Sequence, residues 1–392
     1  MNENPPALQR TPLHDFHVRR SAKLVPFAGW EMPMSFEGIL AEHRAVRESA
    51  GFFDVGHMGI LTVNGASAPS LLSHRTTADV TKLAPGQVRY TFLLDANGAI
   101  VDDLLITRVD DGSRPAPEFL VVPNAATAAG VFDLLREHRR PDTTLARHNG
   151  DATIVAVQGP RSRAVLEELF GWSLANQPFY HARWYPKPGH RGPSEGHLGT
   201  AFPKGLSDGW WVSRTGYTGE LGYELFVPAG DAGGLAESLA AAGVRPCGLG
   251  ARDTLRMEKG YLLSGQDFHG DRTPLEAAQD RFVEMDHSFV GRPVLEKQRA
   301  DGLPARFAGL AVTEAGAIPR HGSVVLADGK PVAVATSGGI APTLGHGIAL
   351  AYLPPALGTV GTNLAIEIRG RPVPATVTAL PFVKAKARVP AA

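Results

Sequence analysis

Ser213-Arg-Thr-Gly-Tyr-Thr-Gly-Glu-Leu-Gly-Tyr-Glu224 places a glycine at every third position: Gly216, Gly219 and Gly222. Glycine at that density supplies backbone angles closed to other residues and lets the main chain approach a flat ligand. The residues before it, Trp210 to Val212, are strand-like, and those after it, Tyr223 to Val227, alternate with period two. The stretch is therefore a turn between strands. A phosphate cradle is disfavoured, since it needs a helix start or a Gly-Lys-Ser/Thr ending. On the second strand Glu224 shares a face with Phe226, while Tyr223 and Leu225 point the other way. A carboxylate on a buried apolar face needs a partner. A flat, nitrogen-rich ring is one candidate, and a buried ion pair is another. Glu220, at the turn itself, is expected to be solvated.

Working outward, the chain of 392 residues is long enough for two or three domains. Its 43% hydrophobic and 20% charged residues fit a soluble globular protein with a substantial core. Lys plus Arg and Asp plus Glu both total 39, so no global field suggests nucleic acid or an anionic membrane. The single cysteine, Cys247, excludes an internal disulfide and fits a reducing compartment. The opening Met-Asn-Glu-Asn-Pro-Pro has no targeting pattern, and no apolar run reaches membrane-spanning length. A cytoplasmic protein is the expectation.

Residues 11–55 read as a short leading segment plus a helix over Glu37–Ser49 stopped by Gly51. Strands are expected at 59–63, 90–94, 101–109 and 119–122, with helices at 66–74 and 125–138. Asp95-Ala-Asn-Gly98 predicts a hairpin between the second and third of these strands. Mixed runs to about 285 give an α+β body, and from about 290 short strands separated by Gly, Pro and Asp turns predict a β-rich C-terminal domain. Residues 186–208, rich in proline and glycine, read as a surface excursion.

Three groups of residues invite chemistry. Asp102-Asp103 follows the hairpin turn on an otherwise apolar strand, so the two carboxylates face opposite sides and an inward one is costly without a partner. Ligand binding and a turn-adjacent capping pair both satisfy that pattern. Gly248-Leu-Gly-Ala-Arg-Asp253 precedes a helix but lacks the third glycine and βαβ setting of a dinucleotide loop. Arg252 at a helix start suits a ligand oxygen or carboxylate, and equally an ion pair with Glu258 or another acid. The 14 histidines give no metal signature; His14 and His17 read as solvated or packing residues, and Cys247 as a small buried side chain.

Taken in order, these segments resemble the aminomethyltransferase (T-protein) family of the glycine cleavage system over residues 11 to about 384. The likeness is carried by Thr11-Pro-Leu-His14, Phe27-Ala-Gly-Trp-Glu-Met-Pro33, Gly51-Phe-Phe-Asp-Val-Gly-His-Met58 and Asn97-Gly-Ala-Ile-Val-Asp-Asp-Leu104. It continues through the glycine-spaced turn, Gly248-Leu-Gly-Ala-Arg-Asp-Thr-Leu-Arg256 and Thr336-Ser-Gly-Gly-Ile-Ala-Pro-Thr-Leu-Gly345.

The resemblance implies an α+β, multi-domain fold: three domains around a central folate-binding opening, the last a C-terminal β-barrel. The segments are expected to be 1–55 with 150–285, then 56–149, then 286–392. It implies transfer of a one-carbon unit from the aminomethyl-lipoyl arm of H-protein to tetrahydrofolate, giving methylenetetrahydrofolate and ammonia. By motif position, Asp103 is the implied catalytic carboxylate. Glu224, Arg252, Met58, Tyr90, Asn124 and Tyr217 are the implied folate-binding residues. A small-molecule folate and lipoylated H-protein are thus the expected partners, with no nucleic acid, membrane or metal.

Two positions depart from the family pattern. Gly56 stands where a serine is usual, and ungapped alignment from Thr273 puts Arg281 where many members carry tryptophan. Two rival functions share the fold, a tetrahydrofolate-dependent demethylase and a folate-binding factor for iron–sulfur maintenance. Relatives of the latter kind carry Lys-Gly-Cys-Tyr-x-Gly-Gln, whereas Lys259-Gly-Tyr-Leu-Leu-Ser-Gly-Gln266 lacks the cysteine.

Overall fold

In the computed structural model, residues 7–112, 116–190, 194–198, 202 and 204–384 are described. Among the described residues, two larger open sheets, a two-stranded one and a barrel make up the architecture. The first is six-stranded in the order Ala182–Pro186, Gly209–Ser213, Gly222–Pro228, Ala152–Gln158, Gly51–Asp54, Arg245–Cys247, antiparallel except for its last pair. The second is five-stranded and antiparallel: Val88–Leu94, Ile100–Arg108, Glu118–Val122, Leu61–Asn64, Thr144–Arg147. The six strands between Arg306 and Thr378 close into a barrel through pairing of Arg306–Val312 with Arg371–Thr378. The α+β fold with a C-terminal barrel is thus as the sequence implies.

Alternation decides the faces. Tyr223, Leu225 and Val227 pack with Val155 and Val157 in one core, while Phe226 joins Ile154, Ala156 and Trp211 in another. Glu224 lies on the Phe226 face, which looks toward Leu105 of the second sheet and Leu255 of the helix Leu249–Lys259. In the second sheet Leu93, Leu104 and Ile106 face the helices Ala68–Arg75 and Ala128–His138. Tyr90, Phe92, Asp103 and Leu105 share the opposite face. The predicted hairpin turn forms: Asp95 accepts from the amides of Asn97 and Ala99, and Gly98 takes φ +76°.

Several expectations need correction. The leading segment holds more structure than foreseen, a helix at His14–Arg19 and a hairpin of Lys23–Phe27 with Trp30–Ser35. Residues 292–301, at the start of the stretch read as dominated by short strands, form a helix. Only Leu295 of it is buried, so it has no apolar stripe to read; Pro293 in the first turn and Gly302 beyond the last were the available signals. The 186–208 excursion is not wholly superficial, because Phe202 and Leu206 are buried in the core shared with Trp211. Residues 191–193, 199–201 and 203 of it lie outside the described residues.

The helix Leu249–Lys259 is bolted in place by two buried ion pairs. Arg256 Nη1 donates to Asp267 Oδ2 at 2.8 Å and its Nη2 to Ser337 Oγ of the barrel at 2.8 Å. Glu258 receives Arg47 Nη2 at 2.8 Å and the Thr343 amide and hydroxyl, each at 2.8 Å. Removing one member of a buried pair strands the other's charge, at a cost of about 3 kcal/mol. Arg256→Leu is therefore expected to lower the urea midpoint by that equivalent; an unchanged midpoint contradicts the bolt.

Candidate active site

At Asp102 and Asp103 the strand Ile100–Arg108 is paired on one side with Leu93 and Phe92, but its pairing with the next strand begins only at Leu105. That open edge admits Asn124. Its Nδ2 donates to the Asp103 carbonyl at 2.9 Å, where a ladder bond would otherwise fall, and to Asp103 Oδ1 at 2.6 Å and Asp102 Oδ1 at 2.8 Å. The Asn124 amide also donates to Asp102 Oδ2 at 3.0 Å. One side chain thus reaches both carboxylates across the strand edge, although they face opposite ways. Tyr90 completes the Asp103 cradle, its hydroxyl donating to Oδ2 at 2.6 Å.

Asp102 is fully buried and Asp103 half-buried. Burial raises the pKa of both, with the Asp103 charge adding to the rise of Asp102 and the Asp267 charge to that of Asp103. The hydrogen bonds from Tyr90 and Asn124 oppose the rise of Asp103. The Tyr90 hydroxyl is itself held well above its ordinary value by burial and by Asp103, so it remains a donor. Asp103 is thus a carboxylate whose pKa is raised by burial while two donors hold its oxygens in place.

Opposite stands the glycine-spaced turn. Thr215 Oγ1 donates to Glu224 Oε2 at 2.5 Å, fixing the carboxylate on its strand. Tyr217 is stacked on Tyr261, with centroids 5.6 Å apart and planes at 20°, and its hydroxyl donates to the Leu262 carbonyl. The Arg252 guanidinium lies 4.8 Å above the Tyr217 ring, in cation–π range. Burial lowers its pKa while the charge of Glu224 works the other way, and an arginine stays charged regardless. Arg252 Nη1 is buried with no hydrogen-bond partner among the described residues. The alternative of an Arg252–Glu258 pair is excluded, because Glu258 belongs to Arg47 and His43.

Asp103, Tyr90 and Tyr217 converge with these groups: the charges of Asp103 and Arg252 both act on Tyr217, and Tyr217 acts on Tyr90. Met58 packs against the core that also receives Leu105 and Tyr180. Asp103, Asn124, Tyr90, Tyr217, Glu224 and Arg252 therefore lie around one region between the two sheets and the helix Leu249–Lys259, and Met58 packs on the core that holds Leu255 of that helix. Arg281 is exposed, its guanidinium 4.6 Å over Phe282, and its charge acts on Tyr261 at the edge of the same region. Phe282 packs edge-on against Tyr90 at 4.7 Å.

Sequence reasoning missed Tyr180. It has a left-handed backbone, φ +57°, and burial raises its pKa along with the charges of Tyr261 and Glu224. Only its place just before the strand Ala182–Pro186 hinted at it. Glu220 is also corrected: its side chain is 2% exposed and accepts from Arg47 Nη1 at 2.8 Å. Its partner lies 173 residues away, beyond the reach of local patterning. His14 and His17 are buried beside Glu31 and Asp54 respectively, in packing roles. Cys247 is buried as expected. Among the described residues, no three His, Cys, Asp or Glu side chains group to hold a metal, and no helix is long and apolar enough to cross a membrane.

A multi-domain α+β protein with a carboxylate-, arginine- and tyrosine-lined site between its sheets is the class this geometry defines. Residues 13–190 and 205–287 match the GCVT N-terminal domain, and residues 306–384 match the glycine cleavage T-protein C-terminal barrel domain. An aminomethyltransferase of Prochlorococcus marinus is 40% identical over 380 residues, covering 96% of this chain and 98% of the relative. One from a Synechococcus species is 41% identical over 378 residues, covering 96% and 99%. The crystal structure of glycine cleavage system aminomethyltransferase T from Bartonella henselae superposes with a TM-score of 0.84 at 32% identity, covering 96% of this chain and 98% of that one. The chain belongs to the aminomethyltransferase (T-protein) family of the glycine cleavage system and is an enzyme of the transferase class. The demethylase and iron–sulfur readings are not favoured by these likenesses.

The Gly56 departure has a local cause. A Cβ there would lie 2.3 Å from Thr153 Oγ1 and 3.1 Å from Asp54 Oδ1, so the Thr153 hydroxyl fills the space a serine needs. Gly56→Ser alone is expected to cost about 1–3 kcal/mol through overpacking. Gly56→Ser with Thr153→Ala should recover most of it; equal losses in thermal unfolding contradict the pairing. His57, adjacent, is 4% exposed and lowered to about 4 by burial, with Arg252 adding and Asp54 opposing. A depressed histidine stabilises the fold fully above its unfolded value near 6.5, and that contribution is lost as pH falls through 4. About 3 kcal/mol is at stake. His57→Gln should flatten the stability decline between pH 6.5 and 4, measured by urea unfolding across that range.

Proposed function

We propose that this enzyme transfers a one-carbon unit from the aminomethyl-dihydrolipoyl arm of H-protein to tetrahydrofolate at Asp103. The observation carrying the reading is the facing of two unlike polar groups across one aromatic-walled site. Asp103 is cradled by Tyr90 and Asn124 on one sheet; Glu224 and the unpartnered Arg252 Nη1 stand on the other side. The amino-pyrimidine edge of a pterin offers adjacent N–H donors and a carbonyl, complementary to a carboxylate and a guanidinium. Tyr217, Tyr261, Tyr180 and Phe282 supply flat faces for the rings.

In the reaction the bonds of the transferred carbon to sulfur and to nitrogen are exchanged for bonds to two folate nitrogens. The protons of those nitrogens leave with the thiol and ammonia. As ammonia departs, the carbon becomes cationic, and a fixed carboxylate such as Asp103 stabilises that charge without reorganisation. Its raised pKa suits it to take up the proton of the attacking nitrogen. Asn124 and Tyr90 hold the carboxylate in place as charge develops. We also divide the chain into domains at 1–55 with 150–285, 56–149, and 286–392; each open sheet and the barrel lies within one of those ranges, which supports the division. A cytoplasmic location and a dedicated H-protein partner follow from the same reading.

The test is ammonia and methylenetetrahydrofolate production from tetrahydrofolate and aminomethylated H-protein. No turnover with an authentic carrier refutes the reading. Asp103→Asn is expected to lose at least about a hundredfold in kcat, the span of general-base and electrostatic effects, while keeping folate affinity within a few-fold. Glu224→Ala should instead weaken folate binding by about tenfold or more, seen in the dissociation constant; an unaltered constant removes Glu224 from the pocket.

A further inference from the structure

Gln158 ends the strand Ala152–Gln158, between Gly51 on one neighbouring strand and Gly222 on the other, and it is fully buried. Its Nε2 donates to the Thr215 carbonyl at 3.1 Å and the Tyr223 carbonyl at 3.4 Å, and its Oε1 accepts from Thr218 Oγ1 at 2.9 Å. The amide is thus spent entirely inside the glycine-spaced turn. A Cβ on Gly216 would lie 2.1 Å from Gln158 Oε1, and one on Gly222 would lie 2.3 Å from Gln158 Cδ. Those two glycines are present because the glutamine amide lies flat against them. The third, Gly219, takes φ +79° to close the turn.

We infer that Gln158 is a positioning residue for folate recognition, acting through the turn and touching no ligand itself; the inference rests on the folate reading above. The glutamine anchors Thr215, whose hydroxyl holds Glu224, and Thr218, so that Tyr217 is fixed from both sides. Glu224 and Tyr217 both depend on it for their aim, while Asp103, on the other sheet, does not. Loss of Gln158 therefore separates binding of folate from the chemistry of transfer.

The experiment uses the full chain with tetrahydrofolate and aminomethylated H-protein. Gln158→Ala is expected to raise the folate dissociation constant and KM about tenfold, with kcat at saturating folate within about threefold of wild type. Unchanged folate affinity, or a fall in kcat at unchanged KM, overturns the role. Gln158→Glu keeps an acceptor for Thr218 but opposes a carboxylate to the Thr215 and Tyr223 carbonyls, a clash relieved when it is protonated and donates. The ratio of its folate dissociation constant to that of wild type should grow as pH rises from about 5.5 to 8. A side chain that merely fills space gives a flat ratio, and a flat ratio overturns the role even where Gln158→Ala fails to fold. Wild-type protein that binds no tetrahydrofolate refutes the folate reading itself, an outcome distinct from wild-type binding with an indifferent Gln158.

Discussion

The last turn of the helix Leu249–Lys259 carries two buried charges of opposite sign, and the arrangement of the whole molecule depends on where their partners sit. Arg256 reaches Asp267, Ser337 and the Tyr261 carbonyl, while Glu258 reaches Arg47, His43 and Thr343. Those partners belong to the 261–267 segment, the barrel and the helix Ile39–Glu48. Arg47 extends the set to Glu220 and the Thr218 carbonyl of the glycine-spaced turn. Such pairs contribute little net stability once desolvation is counted, but each is satisfied in only one arrangement. Their effect is to specify how the sheets and barrel meet, and Arg252, one turn earlier on the same helix, inherits its place from them.

The site needs that specification because its two halves come from different sheets. Asp103 stands on a strand edge left open for Asn124, and Glu224 stands on a strand whose turn is moulded around Gln158. Neither half has a local reason to face the other. A slip of one residue in either strand would carry its carboxylate to the opposite face. The registers that prevent this are set by apolar alternation: Tyr223, Leu225 and Val227 on one sheet, Leu93, Leu104 and Ile106 on the other.

What was legible in the sequence follows the same division. Strand positions, the Asp95–Gly98 hairpin and the face of Glu224 rest on interactions within a few residues, and patterning read them. That Asp102 and Asp103 point to opposite sides was likewise readable; that one asparagine binds both was not, since it requires knowing where the next strand begins to pair. The Asp102-Asp103 pair drew notice as costly carboxylates on an apolar strand, whereas Asn124, Tyr90 and Met58 entered through resemblance to a family, not through any local signal of their own. Glu220 was misjudged because its partner is 173 residues distant, and Tyr180 was missed because a left-handed tyrosine has no sequence signature. The helix Arg292–Asp301 escaped notice because it buries one side chain, Leu295.

The electrostatics of the site assign unlike tasks to its two carboxylates. Glu224 accepts a short bond from Thr215, and its charge acts on the Arg252 guanidinium, so its place is that of a fixed acceptor. Among the described residues no cation forms an ion pair with Asp103; its neighbours are a phenol, an amide and the charges of Asp102 and Asp267. An anion so placed gains from any positive charge that appears nearby, and more so as burial lowers the local dielectric. A cationic carbon formed during transfer is such a charge, and it appears only as the reaction proceeds. In the reaction proposed for Asp103, that attraction arises in the transition state and not in the ground state, the condition under which an interaction accelerates a reaction rather than tightening binding.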